Sequence, residues 1–193
     1  PSIDRSYFNH PGVVTTASSG DDGYGDGLIY PATSSNVVAV GGTSLFLNAD
    51  NSYNSELTWT GTGSGCASYE PRPIWQPRHD SCPESRVDND ISLVADPNTG
   101  VAICLGCSTC CWWQFGGTSI SAPIVAALYA LAGNVPPDDF QAADVLYRNH
   151  SKTNLRDVTK GSNGICQFRY LCNAGKAWDG PTGLGTPDGL GAF

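Results

Sequence analysis

Basic charge is scarce in this chain: 10 Lys and Arg face 18 Asp and Glu across 193 residues, a formal charge of −8. Phosphate contacts need Lys and Arg, so this balance speaks against a nucleic-acid binder. Charge of either sign is sparse, at 15% of residues. Long apolar runs are missing too: none approaches the roughly 20 residues of a membrane span. The sequence reads as one without a signal peptide, an internal repeat or a linker. The expectation is therefore one domain over residues 1–193, long enough for a real core. An initiator methionine is also lacking, since Pro1 comes first; the chain reads as a mature product or a fragment.

Glycine (23) and proline (13) are plentiful and call for many turns and tight backbone approaches. Eight cysteines point to an oxidising compartment, hence to secretion. Cys66 and Cys82 flank a loop suited to a disulfide, as do Cys166 and Cys172. Cys104, Cys107, Cys110 and Cys111 form a cluster with two overlapping C-x-x-C steps. It is read first as two disulfides across a hairpin. A metal site is the alternative, although no second C-x-x-C or His pair stands at zinc-finger spacing. Asn149-His150-Ser151 is a glycosylation sequon in a secreted eukaryotic protein, or else an unused exposed loop.

Short apolar runs at 13–17, 36–40 and 91–95 read as buried strands, the second ended by Gly41-Gly42. Residues 48–89 are polar, aromatic and proline-rich, and read as surface loops. Val101–Ile103 and Trp112–Phe115 read as two hairpin arms, with the cysteine cluster at the tip. Ile120, Ile124, Leu128 and Leu131 recur at helical spacing over 120–132, amid alanines. That helix is apolar nearly all round, which predicts burial, and places Pro123 in its first turn. A second helix is expected from Asp138, with Phe140, Ala143 and Leu146 inward. The last 38 residues read as irregular loop. Strands with helices between them indicate an α/β fold with a parallel sheet.

The most informative stretch is Gly116-Gly117-Thr118-Ser119-Ile120-Ser121-Ala122-Pro123-Ile124. It puts a serine where an extended segment passes through two glycines into a helix. Free N–H groups and the positive end of the macrodipole gather there. A hydroxyl so placed suits a nucleophile beside a stabilised oxyanion, or simply an N-cap. Ser19-Gly20-Asp21-Asp22-Gly23 follows the first strand, so Asp21 and Ser119 are expected at one crevice at the carboxyl ends of strands. Asp21 is then either a base or, protonated, a hydrogen-bond donor, which needs a raised pKa; an Asx turn is the plainer reading. Asp157 and Asp179 lie in glycine-rich irregular backbone suited to Ca²⁺, or cap turns at the surface.

Five motifs in order carry a family resemblance: Ala17-Ser18-Ser19-Gly20-Asp21; Val40-Gly41-Gly42-Thr43-Ser44; Gly117 to Pro123; Asp157-Val158-Thr159 with Gly161 and Asn163-Gly164; and Trp178 to Pro187. Together, from about Tyr7 to Phe193, they resemble the sedolisin family of serine-carboxyl peptidases, which have a subtilisin-like fold. The resemblance implies that Ser119 is the nucleophile and Asp21 the oxyanion donor. It implies Ca²⁺ held by the side chains of Asp157 and Asp179 and the carbonyls of Val158, Gly175 and Ala177. Ala177 stands where glycine is common. The fold expected is thus a subtilisin-like parallel sheet flanked by helices, with the N-terminal part of the domain absent and a loop-rich C-terminal calcium region.

One departure stands out. The family's catalytic glutamate and its companion aspartate lie well upstream of the oxyanion aspartate. Only 20 residues precede Asp21, and none is Glu. His10, His79 and His150 read as loop residues, and Glu56, Glu70 and Glu84 as surface charge. The expectation is a secreted, acid-acting endopeptidase of proteins or peptides, inactive as this chain alone and partnered by the missing N-terminal part of the same precursor. The alternative is a non-catalytic relative binding carbohydrate or protein through exposed tryptophans such as Trp59, Trp75, Trp112 and Trp113. An inhibitor or toxin on the same scaffold is a third reading.

Overall fold

One long strand, β2 (Val38–Leu47), organises the sheet in a computed structural model that describes residues 2–25, 28–80, 82–106, 111–134 and 141–193. Its first seven residues are buried. β1 (Thr16–Ser18) pairs parallel with its start, and β3 (Tyr53–Thr58) antiparallel with its end. β6 (Ile91–Val94) runs parallel along the other edge of the same strand, from Val40 to Thr43. The sheet is therefore mixed, with a parallel core of β1, β2 and β6. The strand passes through Gly41-Gly42 rather than ending there. A Cβ at Gly41 would lie 2.5 Å from Ser92 Oγ, and one at Gly42 would lie 2.5 Å from Ala95 Cβ. Close approach on both faces, not a turn, explains this glycine pair. The first expected strand is shorter than the apolar run suggests, and Val13 is 58% exposed.

Helix α1 (Ser2–Phe8) precedes the sheet in the chain, and helix α2 (Thr118–Ala132) lies on it. Ala122, Val125 and Tyr129 pack into a core with Val38, Val40, Ile91, Leu146 and Phe193. Tyr129 meets the Phe193 ring edge-on at 5.0 Å and donates its hydroxyl hydrogen to the Ala142 carbonyl. The helix is not buried all round: Pro123, Ala127 and Ala130 face outward, and Leu131 is 71% exposed. A helix on one sheet buries one face, and alanine is too small for sequence to tell the two faces apart. The helix also begins two residues earlier than expected. Pro123 thus stands in its second turn, where it removes the N–H that would bond the Ser119 carbonyl.

Helix α3 (Ala142–Asn149) carries Ala143 and Leu146 into the core; its expected start at Asp138 and Phe140 lie outside the described residues. Segment 48–89 is more ordered than its composition suggests. It holds β3, β4 (Cys66–Pro71) and β5 (Ser85–Val87), the last two paired antiparallel. Disulfides Cys66–Cys82 and Cys166–Cys172 are present. The hairpin is also present: β7 (Val101–Leu105) pairs with β8 (Cys111–Phe115), Ile103 opposite Trp113. Cys104 is disulfide-bonded, but Cys107 and Cys110 lie outside the described residues. After residue 155 the chain is mostly loop, pinned by the two-residue strands β9 (Leu155–Arg156) and β10 (Thr186–Pro187).

Between the sheet and the C-terminal loops lies a buried ion pair that the sequence did not disclose. Arg86 Nη1 and Nη2 bond the two carboxylate oxygens of Asp90 at 3.1 and 2.7 Å, and both side chains are fully buried. Asp90 also accepts the Ala39 N–H at 2.8 Å and the Tyr147 hydroxyl at 3.1 Å. One carboxylate thus ties β2, β5 and α3 together.

Candidate active site

The parallel strands β1 and β6 end on the same side of the sheet, and the candidate residues follow those ends. The loop after β1 carries Asp21; Ala95 and the Gly116-Gly117 turn bring in the start of α2. Gly117 N–H bonds the Ala95 carbonyl at 2.5 Å. Gly117 caps the helix with φ 95°, a left-handed conformation that suits glycine. A Cβ there would also lie 2.7 Å from Asp21 Oδ2. The glycine is needed both for the turn and for room beside the carboxyl group.

Asp21 and the helix start are directly joined. Asp21 Oδ1 accepts the Thr118 N–H and the Thr118 hydroxyl, each at 2.7 Å. Thr118 Oγ1 in turn accepts the Gly20 N–H at 3.1 Å. Ser121 fixes the next turn by donating to the Val94 carbonyl at 2.9 Å. Ser119 itself is exposed, and its hydroxyl has no hydrogen-bond partner among the described residues. So Asp21 and Ser119 share one edge of the sheet, as expected. Thr118 is the link between them, a role that the motif alone does not assign to it. Its signal was present: a hydroxyl side chain at the first position of a helix whose cap is glycine.

Among the described residues no histidine is hydrogen-bonded to Ser119. His10 bonds the Tyr7 carbonyl and His150 the Tyr147 carbonyl. His79 is half-buried, stacked on Tyr170 at 4.2 Å and Trp178 at 5.0 Å, and burial pushes its pKa down. Two glutamates are not surface charge after all. Glu56 accepts hydroxyl hydrogens from Thr43 at 2.7 Å and from Thr186, and Glu70 is buried. Burial raises the pKa of both. Neither is bonded to Ser119.

The second candidate group lies in the C-terminal loops. Asp179 is 2% exposed. Its Oδ2 accepts the Gly175 N–H at 2.8 Å, and its Oδ1 accepts the Thr182 N–H and hydroxyl at 2.9 and 2.8 Å. Burial lifts its pKa to about 7, the Gly175 and Thr182 bonds oppose this, and the nearby Asp157 charge adds to it. Asp157 Oδ2 accepts the Ala177 N–H at 2.9 Å. Both carboxylates thus grip the same short segment, 175–177. Ala177 has φ 64°, the left-handed region that glycine adopts more readily. No cluster of three or more His, Cys, Asp or Glu side chains suited to a metal occurs among the described residues. A cation there would need carbonyl oxygens to complete its shell.

Comparison with known proteins decides the lineage. The subtilase family model matches residues 2–170. The chain belongs to the subtilase family. Within it, this subtilase is 36% identical to sedolisin of Pseudomonas sp. (strain 101) over 202 residues, 92% of this chain and 34% of that protein. It is 32% identical to kumamolisin of Bacillus sp. (strain MN-32), over 93% of this chain and 35% of that protein. The solved structure of Pseudomonas sedolisin, a serine-carboxyl proteinase complexed with two molecules of pseudo-iodotyrostatin, superimposes with a TM-score of 0.72 at 32% identity. That match covers 90% of this chain and 53% of that one. The sedolisin resemblance and the subtilisin-like fold are thereby established. The chain spans about a third of the length of the curated relatives it matches.

Proposed function

We propose that this subtilase is part of a secreted endopeptidase that hydrolyses peptide bonds in proteins at acidic pH. The observation that carries the reading is the Asp21–Thr118 double hydrogen bond, which sets a carboxyl group beside an exposed serine at a helix start. Ser119 Oγ attacks the substrate carbonyl carbon, and the carbonyl electron pair moves to oxygen. Asp21, protonated, donates a hydrogen bond to that oxyanion, the charge that a pre-set donor stabilises best. The tetrahedral species collapses, the amine leaves with a proton, and water hydrolyses the acyl-serine. The Ser119 proton must pass to a base. None is bonded to Ser119 among the described residues, and the glutamate implied by the resemblance is not among the residues before Asp21. Its supply by an upstream polypeptide of the same precursor is part of the proposal, as is inactivity of the chain alone. The eight cysteines support secretion.

N-terminal sequencing and intact mass of native material report whether such a polypeptide accompanies the chain. Hydrolysis of a denatured protein is then assayed at about pH 3–5, the range where carboxyl groups titrate. The chain alone is expected to be inactive and the assembly active. Ser119→Ala should remove activity, and Asp21→Ala should lower kcat about 10²–10³-fold, the usual loss for one oxyanion donor. Hydrolysis that survives Ser119→Ala sinks the reading. The exposed rings of Trp112 (69%) and Trp113 (59%) favour the second reading, a non-catalytic protein binding glycan or protein. Saturable binding by an inert assembly would establish it.

We also propose that Asp157 and Asp179, with the carbonyls of Val158, Gly175 and Ala177, hold one Ca²⁺. Carboxylate and carbonyl oxygens are the donors a hard cation takes, and a cation there would offset both the burial of Asp179 and its repulsion by Asp157. It would hold these loops together. Calcium at about 100 times its Kd stabilises by about 2.7 kcal/mol, or about 5–10 °C in Tm for a chain of this size. Calorimetry with calcium and with excess chelator should show that shift, and Asp157→Ala should abolish it. An unchanged Tm rejects the site.

A further inference from the structure

Beside the 175–177 segment opens a cavity of about 810 Å³, separate from Ser119 and Asp21, with the proposed calcium ligands Asp157 and Ala177 in its lining. This volume falls within the range of small-molecule sites, about 300–1,000 Å³. Its wall is aromatic and preordered. Trp75 packs on Tyr147 with ring centroids 4.7 Å apart, Trp178 and Tyr147 are nearly buried, and Leu155 and Leu184 complete the apolar lining. The polar atoms of the three rings are already engaged. Trp178 Nε1 donates to the Tyr147 hydroxyl at 3.0 Å, that hydroxyl donates to Asp90, and Trp75 Nε1 donates to Gln141 at 2.8 Å. Arg86 lies over the Trp75 ring at 5.2 Å and His79 stacks on Trp178 at 5.0 Å. What the rings present to the cavity is their remaining apolar surface and no free polar atom, so the body of an occupant must be apolar and is best flat.

The rim has the opposite character. The chain has only three lysines, and two of them, Lys152 and Lys176, line this cavity. Both are exposed, and neither forms an ion pair among the described residues. In a chain of net charge −8 this is a local concentration of positive charge. Two other titratable groups line it, Asp157 and His150. They are already engaged: Asp157 accepts the Ala177 N–H, and His150 bonds the Tyr147 carbonyl.

We infer that this cavity binds a small amphiphilic carboxylate, an aromatic body against Trp75, Tyr147 and Trp178 with its anion between Lys152 and Lys176. Calorimetric titration with naphthylacetate tests it against the matching ammonium, naphthylethylamine, and the neutral naphthylethanol. One saturable site is expected, with the carboxylate binding about tenfold tighter than the ammonium. The double variant Lys152→Glu/Lys176→Glu changes only exposed side chains and should weaken naphthylacetate about tenfold, with circular dichroism unchanged. Titration repeated in excess chelator separates the lysines from any calcium nearby. The inference is overturned by absent or unsaturable binding, by equal affinity for the ammonium, by binding indifferent to the lysine reversal, or by affinity that vanishes only on chelation. It is also overturned if sedimentation shows a dimer that the lysine variant dissociates, for then a second copy fills the cavity.

Discussion

Arg86→Met lowers the unfolding free energy by about 3–5 kcal/mol. Methionine fills much of the arginine's space but leaves Asp90 fully buried without its guanidinium. The bidentate bonds at 3.1 and 2.7 Å disappear, while the Ala39 N–H and the Tyr147 hydroxyl remain. Two neutral donors do not compensate a buried carboxylate. Asp90→Leu costs about as much, because it strands the guanidinium and frees the Ala39 N–H inside the sheet. The double variant Arg86→Met/Asp90→Leu should recover part of the loss, since it leaves no unpaired charge. Urea unfolding of the four proteins measures the coupling. A single-variant loss below about 1 kcal/mol, the size of an exposed ion pair, would show that the pair is not buried in solution.

The second large effect is a pH dependence. Asp88 is fully buried, and neither carboxyl oxygen has a hydrogen-bond partner among the described residues. Burial lifts its pKa from 3.8 to about 7, the Arg86 charge opposes this, and the Asp90 charge adds to it. The folded chain thus keeps a proton that the unfolded chain releases near pH 4. For a carboxyl with a raised folded pKa, stability is fully present below the unfolded pKa and is lost as pH rises toward the folded one. At about 1.4 kcal/mol per pH unit, the loss between about pH 4 and 7 reaches about 4 kcal/mol. Asp88→Asn, which cannot ionise, should flatten that part of the curve and be the more stable protein at neutral pH. Glu56, Glu70 and Asp179 also have raised pKa values, so the difference between wild type and variant is the quantity to measure. Parallel curves would reject the assignment. This contribution of Asp88, which favours the fold in acid, suits the proposed acidic working range.

Much of the site was legible because its signals are local. Glycine before a hydroxyl pair and an alanine-rich run marks a helix start by backbone freedom and helical period alone. Gly20-Asp21 after an apolar run marks a strand end. What escaped depends on neighbours distant in the chain. Thr118 bonds Asp21 across 97 residues. Arg86 and Glu70 look like surface charge in a polar segment and are buried, Arg86 against Asp90 and Trp75 and Glu70 near Asp4, partners distant in the chain or set by the fold. Of the tryptophans read as exposed, Trp112 and Trp113 do stand out on a hairpin, whereas Trp59 and Trp75 are half-buried.

The order of residues by itself determined the subtilase motifs, the two loop-closing disulfides, the hairpin and helix α2. Each depends on near neighbours and on backbone geometry that the residue types impose. Only the tertiary structure decided which charges lie in the dry interior, which face of α2 meets the sheet, and where an aromatic cavity opens beside two lysines. Burial is a property of what packs against a side chain, and long-range strand pairing chooses those partners.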